Sequence, residues 1–519
     1  MSAAPSEPEK YTIDEMMDRL KNTSSGNPDD GELVTRADGS QAIRVRKRKR
    51  RSNQPHKEDA QRSRRSRIVQ VSAALVLVFV AAFAVGAAVI YANSSPFRQG
   101  LEQKIIASSG ADIELLQFRM NPKTANAGNL NLKWPEGNVL ESLSMRGLSG
   151  EIFPASFLGK SMTGEEVTIQ EATLSLRVPS AGEATRATPA AAGISPIRFS
   201  HYRFPQFHLI LGDPAAPDVR LLKSEASFNP QGVNGRPQLN LYQGQLAIAG
   251  WPKLRVDRAF IEFRGDETDI VGMRMLHVTA EDKVDEGGSL EVSGTVSPYK
   301  PDQLSTLEVK LKSFELAGIT GPALGKLLSG EIDSISSTKS NYLSFYPTGS
   351  PSPELDVTFE STAGSGVTVQ GLPFLFALSQ LLDDEWFANP LFEASAKGFI
   401  HREKGIAALR GLDLQSKGRI AIRGGLSLAP NQTLSGTLEV GVAEAMIASA
   451  PKNNLGALNV MFGPPKEGFR WLEVDISGPA NAPADTFKEL YSAASGAARP
   501  ATAPVRDGGS SFEELTRPK

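Results

Sequence analysis

Residues 420–442, IAIRGGLSLAPNQTLSGTLEVGV, decide the fold class because their apolar side chains recur at every second position. A period of two places alternate side chains on the same face of a β-strand. The pattern stops at Pro430 and Asn431, which are typical turn residues, and then resumes. The stretch therefore predicts two antiparallel strands with one apolar face, made by Ile420, Ile422, Leu426, Leu428, Leu438, Val440 and Val442.

The same alternation occurs along much of the chain. Leu290 and Val292, and later Leu307 and Val309, alternate with polar residues, and turn-forming residues separate such runs at intervals of roughly ten. This predicts a long antiparallel meander with one continuous apolar face, which must be covered. The sheet can close as a barrel, pack on a second sheet, or curl into a trough whose apolar floor would suit acyl chains.

One apolar segment precedes this pattern. No charged residue occurs from Ile68 to Phe97. The 23 mostly apolar residues from Ile68 to Ile90 would form about 35 Å of helix, enough for the ~30 Å hydrocarbon core of a membrane. Residues 44–67 carry twelve Lys or Arg against Glu58 and Asp59. Because Lys and Arg stay on the cytoplasmic side, we expect the N-terminus in the cytoplasm and the long β region outside. The apolar run is too long for a cleaved signal peptide, so an uncleaved anchor is predicted.

The predicted organisation has four parts. Residues 1–67 form a mostly disordered, basic cytoplasmic segment, 68–91 the transmembrane helix, 92–495 the β domain, and 496–519 a disordered tail.

Short helices are expected to interrupt the β domain. One is predicted after Phe97, with Leu101 and Ile105 on one stripe and Gly110 as its stop. Others are predicted over 321–330, with Pro322 in the first turn, over 371–389, where a helix would plug one end of the sheet, and over 484–494. Residues 178–196 are predicted to form a low-complexity loop.

The cytoplasmic segment contains two local signals. Apolar residues from Tyr11 to Leu20 have near-helical spacing, and Asp38-Gly39 between apolar pairs predicts a hairpin. A lone hairpin is marginal in water. Residues 11–46 are therefore a possible site for a cytoplasmic protein partner. The alternative is a disordered segment whose basic residues only determine the orientation of the membrane span.

The composition excludes several kinds of chemistry. The 519 residues include no Cys and five scattered His, so no thiolate zinc site or disulfide framework is expected. The net charge of −2 and 7% aromatic content are not typical of a nucleic-acid-binding chain. Asp383, Asp384 and Glu385 are interpreted as a solvated turn. We therefore predict no catalytic, cofactor-binding or metal-binding residues and no enzymatic activity.

Two regions resemble a known family. The stretch LEQKIIASSGADIELLQFRMNPKTANAGNLNLKWPEG (101–137) is similar to the start of AsmA-like proteins of diderm bacterial envelopes, and GEEVTIQEATLSLRV (164–178) is similar to the recurring strand pair of that family. The stretch 392–442 resembles the C-terminal region of that family, with glycines punctuating its strands at Gly398, Gly405, Gly418, Gly424 and Gly436. AsmA-like proteins belong to the wider group of repeating-β-groove, or bridge-like, lipid-transfer proteins.

The resemblance implies a curved β-groove, hydrophobic inside, on an inner-membrane anchor with its large domain in the periplasm. It also implies a role in moving or shielding phospholipid during outer-membrane homeostasis, with no cofactor. On this interpretation the seven apolar residues of 420–442 face lipid. The competing hypothesis is a non-enzymatic envelope scaffold, in which the β domain is closed and docks protein partners.

Overall fold

A computed structural model of the chain consists of two compact units, Met1–Ala82 and Phe83–Lys519. Strands dominate, as the period-two pattern predicts. The structure describes residues 32–35, 37–39, 41–44, 57–153, 156, 162–178, 197–265, 267–298, 300, 303–335, 341–346 and 353–497.

The first unit contains the hairpin predicted around Asp38 and Gly39. Strands β1 (Glu32–Thr35) and β2 (Gln41–Arg44) pair antiparallel across this turn. Gly39 has a φ of 81°, which glycine adopts without the steric cost of a side chain. The helix predicted over Tyr11 to Leu20 lies outside the described residues.

Helix α1 (Lys57–Ala92) contains the predicted apolar segment. The window Leu75–Ala92 has a mean hydropathy of 2.7 and is 6% buried, so the helix is long and apolar enough to cross a membrane. The helix starts eleven residues before the predicted boundary at 68. Residues 57–67 contain neither Pro nor Gly and include four Arg with one each of Lys, Glu, Gln and Ala, which favour helix. Residues 57–67 of the basic segment are therefore helical and continuous with the apolar span.

Most strands belong to one long sheet, and consecutive strands are neighbours along most of it. Its first half runs in the order β3 (Asp112–Leu116) with β4 (Arg119–Met120), β5 (Thr124–Lys133), β6 (Leu140–Ile152), β7 (Met162–Leu176), β8 (Ile197–Leu211), β9 (Val219–Asn229), β10 (Gln238–Ile248), β11 (Leu254–Arg264), β12 (Glu267–His277), β13 (Ser289–Val296) and β14 (Ser305–Lys312).

The second half of the sheet begins with an interrupted strand. Its order is β15 (Phe314–Glu315), which continues β14, then β17 (Glu331–Ser334) and β18 (Tyr342–Phe345), β19 (Glu354–Ser361), β22 (Ser395–Glu403), β23 (Ile406–Ser416), β24 (Ile420–Leu428), β25 (Thr433–Ala443) and β27 (Phe469–Pro479), with the short β26 (Pro465–Lys466) and β28 (Ala484–Asp485) on β27. Both β17 and β18 pair with β19, so together they fill one strand position. This makes a local ring of pairings with β14 and β15.

The long sheet is open. Within the described residues no pairing joins the β3–β4 edge to the β26–β28 edge. A separate small sheet consists of β16 (Leu328–Ser329), β20 (Val367–Val369) and β21 (Leu391–Phe392).

One pair of strands departs from the antiparallel meander that the sequence predicts. Strands β7 and β8 are parallel, with Met162 opposite Ile197 and Leu176 opposite Leu211. A parallel neighbour requires the chain to return along the full length of the strand. The connection 177–196 is long enough, because twenty residues can span about 65 Å and the 15-residue β7 is about 50 Å long.

The helices after α1 are short. They are α2 (Ser95–Ser109), α3 (Ala317–Thr320), α4 (Pro322–Gly325), α5 (Pro373–Leu382), α6 (Glu444–Ala448), α7 (Lys452–Met461) and α8 (Phe487–Ala497), with 3₁₀ turns at Val233–Gly235 and Glu385–Ala388. Four of them, α2, α4, α5 and α8, correspond to predicted helices, although α4 ends at Gly325, five residues before the predicted end. The last begins three residues later than predicted, and 498–519 lie outside the described residues.

Helix α5 lies in the core of the sheet's second half. Seven of its ten residues are buried, as its apolar composition predicts. The Phe374 amide at its start donates to Asp485 Oδ2 at 2.6 Å, and the carbonyl of Leu381 near its end accepts from Asn454 Nδ2 at 3.0 Å. These bonds fix α5 against β28 and α7, so the C-terminal part of the domain has a helix-filled core.

Candidate functional site

The seven candidate lipid-facing residues lie in the packed core. All seven are between 0% and 5% exposed. They share one face of β24 and β25, where Ile420 pairs with Val442 and Ile422 with Val440. They form one hydrophobic cluster with residues of α5, α7 and α8. The predicted apolar face therefore exists as core, and contact of these residues with lipid stays a prediction.

An apolar cavity lies at the opposite end of the sheet, between α2 and the first strands. Its volume is about 310 Å³. Fifteen of its nineteen lining residues are apolar, and the other four are Ser108, Ser109, Asn126 and Tyr202. Strand β5 contributes the small side chains of Ala125 and Ala127, which leave room beneath α2. This cavity is the candidate functional site.

Helix α2 forms one wall of the cavity. Pro96 lies in its first turn, where a missing amide hydrogen costs nothing, and Gly110 ends it with a φ of 67°. Leu101 and Ile105 are one helical turn apart and are buried over the cavity. The sequence indicated this apolar stripe of Leu101 and Ile105. The helical wall of the cavity was therefore predictable, although the cavity itself was not.

Trp134 anchors the end of α2. Its indole Nε1 donates to the carbonyl of Ser109 at 3.0 Å, and its side chain is 7% exposed. The Ser109 hydroxyl in turn donates to the carbonyl of Ile105 at 2.7 Å. The polar groups at this end of α2 are therefore satisfied within the protein, and the surface left to the cavity is apolar.

Asn93 joins the end of α1 to the sheet edge beside the cavity. Its Nδ2 donates to the carbonyl of Met120 at 2.6 Å, and its Oδ1 accepts from the Met120 amide at 2.8 Å. A further bond from Nδ2 to the Val89 carbonyl, at 2.7 Å, closes the last turn of α1. The side-chain amide thus pairs with β4 as a neighbouring strand would.

Three aromatic rings continue from this junction to the cavity. Tyr91 and Phe97 meet edge to face with centroids 5.7 Å apart, and Phe97 stacks on Phe118 at 6.3 Å. Phe118 lines the cavity, whereas Tyr91 is 60% exposed at the end of the apolar helix. A continuous aromatic surface therefore leads from α1 to the cavity.

The cavity lining is suited to holding hydrocarbon, not to acid–base chemistry. Tyr202 is the one titratable side chain among the lining residues, and its burial raises its pKa above the usual value, although a hydrogen bond with the backbone of Phe199 opposes this. The phenol therefore stays neutral near physiological pH.

A polar recess adjoins the apolar cavity. It has a volume of about 530 Å³ and is lined by Asn93, Phe118, Arg119, Met120, Asn121 and Asn126. Phe118 and Asn126 border both spaces. The side chain of Asn126 alternates with those of Ala125 and Ala127 along β5, so it lies on the face of the sheet opposite to the apolar cavity.

A charged cluster on β19 and β22 was missed by the sequence analysis. His401 Nδ1 lies 2.7 Å from Asp356 Oδ1, and Glu354 and Glu403 each approach the ring at 3.9 Å. Ligand atoms of Glu354, His401 and Glu403 lie within 4.8 Å of one another, a spacing compatible with a cation. Glu403 also pairs with Lys404 at 2.7 Å. Cross-strand pairing of Asp356 with His401 brings these residues together, which their separation in the sequence conceals.

Arg402, the next residue along β22, is buried in the core. Its side chain donates to the carbonyls of Ile319, at 2.7 Å, and Gly250, and its guanidinium lies 5.2 Å from the ring centroid of Trp251. Burial lowers its pKa to about 10. Arg402 therefore ties α3 to the turn between β10 and β11 without a carboxylate partner among its hydrogen bonds.

The predicted solvated turn at Asp383–Glu385 has a structural role. Asp384 Oδ1 accepts from the Trp386 amide at 3.1 Å and so caps the 3₁₀ turn. Its other oxygen pairs with Arg419 at 3.4 Å, and Arg419 lies over the ring of Trp386.

Comparison with known proteins adds no relative. No family model, curated protein or solved structure matches the chain.

Proposed function

We propose that this protein is a membrane-anchored, AsmA-like lipid-binding protein that shields or transfers phospholipid and catalyses no reaction. The observation that carries the proposal is the apolar cavity between α2 and strands β3 to β8. In the proposed arrangement α1 crosses the inner membrane, and the sheet curves into a groove in the periplasm.

The energetics favour such a role. An engineered cavity of roughly 150 Å³ holds benzene, so a cavity twice that size holds roughly twelve hydrocarbon carbons. At about 0.8 kcal/mol per methylene, shielding twelve carbons from water is worth about 10 kcal/mol. This is a large part of the penalty that an acyl chain meets when it leaves a bilayer, and no nucleophile or base is needed to remove it.

The position of the cavity supports uptake from a bilayer. Two residues separate the end of α1 from the start of α2, and the bonds between Asn93 and Met120 attach this junction to the cavity edge. The basic residues before the apolar segment favour a cytoplasmic N-terminus. An acyl chain leaving the outer leaflet would therefore meet the cavity close to the membrane surface.

Photocrosslinking tests the proposal. The full chain is reconstituted in vesicles that contain a phospholipid with a diazirine near the end of one acyl chain, and crosslinked peptides are mapped by mass spectrometry. We expect crosslinks in α1 and also in β5 and β6 around Leu130 and Met145, which line the cavity. Crosslinks confined to α1 would contradict the proposal.

A cavity-filling variant provides the matched comparison. Ala127→Phe places a ring in the 310 Å³ space and should reduce the cavity crosslinks severalfold, while the crosslinks in α1 stay as an internal reference. Ala215→Phe, at an exposed position, should leave both sets unchanged. Equal cavity crosslinking in the two variants would show that the lipid contacts another surface.

The scaffold hypothesis is the second candidate, and the buried apolar ladder of β24 and β25 favours it. A fully packed C-terminal core has no space for lipid there and would present only its outer surfaces to partners. The two hypotheses differ in whether the cavity beside α2 takes up an acyl chain, which the crosslinking measures directly.

A further inference from the structure

We infer that Glu354, His401 and Glu403, on the outer face of β19 and β22, form a binding site for a divalent cation such as Zn²⁺. The inference is independent of the proposed lipid-binding function, because none of these residues lines the apolar cavity. Glu354 belongs to β19 and the other two belong to β22, so a bound cation would join the two strands.

Strand pairing brings the ligands together on one face of the sheet. Asp356 of β19 lies directly opposite His401 of β22. Side chains alternate along a strand, so Glu354, two residues before Asp356, and Glu403, two residues after His401, share that face. Leu355, between the two acidic residues, is 1% exposed and packs in the core on the other side. The four polar side chains therefore lie on the outer face.

Asp356 orients the imidazole of His401. Its Oδ1 accepts a hydrogen bond from His401 Nδ1 at 2.7 Å, and the Tyr342 hydroxyl also bonds with this carboxylate, which raises the pKa of Tyr342 above its usual value. The Asp356 side chain is 9% exposed, so the surrounding protein holds it in place. A histidine that donates from Nδ1 to a carboxylate keeps its lone pair on Nε2, as metal-ligating histidines commonly do. Nε2 is therefore the nitrogen available to a cation.

The two glutamates lie close enough to close around a cation. Glu403 Oε2 is 3.9 Å from His401 Nε2, and ligand atoms of Glu354, His401 and Glu403 are all within 4.8 Å of one another. Zinc bonds of about 2.1 Å at tetrahedral angles place ligand atoms about 3.4 Å apart. The Glu354 and Glu403 side chains are 42% and 38% exposed, so a change of rotamer can bring their oxygens inward without disturbing the core. A water molecule would take the fourth position.

The cluster has an excess of negative charge. The carboxylates of Glu354, Asp356 and Glu403 lie together, and like charges on neighbouring strands repel each other. Lys404, whose Nζ is 2.7 Å from Glu403 Oε1, is the only lysine or arginine that forms an ion pair with them within the part of the chain that the structure describes. A divalent cation would offset the remaining charge. Mixed imidazole and carboxylate ligands favour zinc over calcium and magnesium, which prefer oxygen alone.

Isothermal titration calorimetry tests the site. The full chain, without a histidine tag and stripped of metal with a chelator, is titrated in detergent with ZnCl₂ and, separately, with CaCl₂. We expect a zinc site that His401→Gln abolishes and that His201→Gln, at an exposed position, leaves unchanged. Equal zinc binding in the native chain and in His401→Gln would overturn the inference. Calcium binding as tight as zinc binding would also overturn it, because the imidazole would then contribute nothing.

Three further variants test the assigned roles. Asp356→Asn removes the charge behind the imidazole and should weaken zinc binding about tenfold. Glu403→Gln removes a ligand at the edge of the sheet and should weaken it further, with the fold retained by circular dichroism. Lys404→Asn should strengthen it about threefold, since Nζ no longer competes for Glu403, and Asn tolerates the φ of 48° at this position. Unchanged affinity in Lys404→Asn would contradict a cation at Glu403.

Stability tests whether the cation joins the strands. A ligand that binds only the folded chain stabilises it, so zinc should raise the denaturation midpoint of the native chain and leave that of His401→Gln unchanged. Amide exchange in β19 and β22 should slow when zinc is added. Zinc binding with neither effect would identify an adventitious ion only and overturn the proposed site.

Discussion

Asn93 and Met120 exchange two hydrogen bonds, one in each direction, between a side-chain amide and a backbone peptide group. This places an asparagine, not a strand, as the neighbour of β4 at the open edge of the sheet. The pairing satisfies edge groups that would otherwise be available to another chain. It also fixes the direction in which the chain leaves α1 and enters α2.

Removing the Asn93 side chain should loosen this edge. We expect Asn93→Ala to lower the local free energy of opening by about 1 kcal/mol, since the bonds are partly exposed to solvent. Hydrogen exchange at the Met120 amide should therefore become roughly fivefold faster. Asn129→Ala on the adjacent β5, whose side chain makes no hydrogen bond within the described residues, should leave that rate unchanged. Equal rates in the native chain and both variants would show that β4 is held by other contacts.

The buried Arg402 should be important for stability. Arg402→Ala leaves the carbonyls of Ile319 and Gly250 without a donor and removes the packing on Trp251, so we expect a loss of about 3 kcal/mol. Chemical denaturation of the full chain in detergent measures it. Arg410→Ala, on the exposed side of the neighbouring β23, should stay within about 0.5 kcal/mol of the native chain. A native-like midpoint for Arg402→Ala would mean that the cost of burying its charge offsets these contacts.

His277 should make the fold sensitive to acid. The imidazole is 8% exposed, its Nδ1 has no partner within the described residues, and burial lowers its pKa, although Asp285 opposes the shift. Because the pKa is lower in the folded than in the unfolded chain, stability is fully present above about pH 6.5 and declines as the pH falls below it.

Denaturation midpoints at pH 7.5, 6 and 5 check this dependence. The decline should be smaller in His277→Gln, which cannot take up a proton, and unchanged in the exposed His201→Gln. Parallel pH profiles for the native chain and His277→Gln would assign acid sensitivity to other groups.

The apolar ladder of β24 and β25 should not tolerate a charge. Leu426 is 2% exposed, so Leu426→Asp buries an unpaired carboxylate and should destabilise the domain by about 3 to 5 kcal/mol. Its neighbour Ser427 is half-buried, and Ser427→Asp should be far milder. Circular dichroism during denaturation distinguishes the two. A stable Leu426→Asp domain would indicate that the face opens to water, as a lipid-lining face would.

Local sequence patterns predicted the individual strands and helices better than they predicted which elements pack together. The period-two runs predicted the strands, Asp38-Gly39 the hairpin, and the Leu101–Ile105 stripe with Gly110 the helix α2, because each depends on residues a few positions apart. Helix α1 begins before the predicted transmembrane span because hydropathy marks only the apolar residues, whereas a helix continues into adjoining residues that favour it.

Long-range relationships were not predictable. The apolar face of β24 and β25 was correct, but alternation does not reveal whether a face is covered by helices or left open. The cavity beside α2 depends on Ala125 and Ala127 lying under a helix from another part of the chain. The His401 cluster depends on the register between β19 and β22, which no local pattern specifies.

The parallel pairing of β7 with β8 also has a consequence for the order of assembly. Each paired residue of β7 meets a partner 35 positions along the chain, whereas antiparallel neighbours such as β10 and β11 can pair outward from a short turn. Closing the longer loop is entropically costly and slow. We therefore expect the meander from β3 to β7 and the one beginning at β8 to form as separate nuclei. Their docking along this seam would then be the late step in folding.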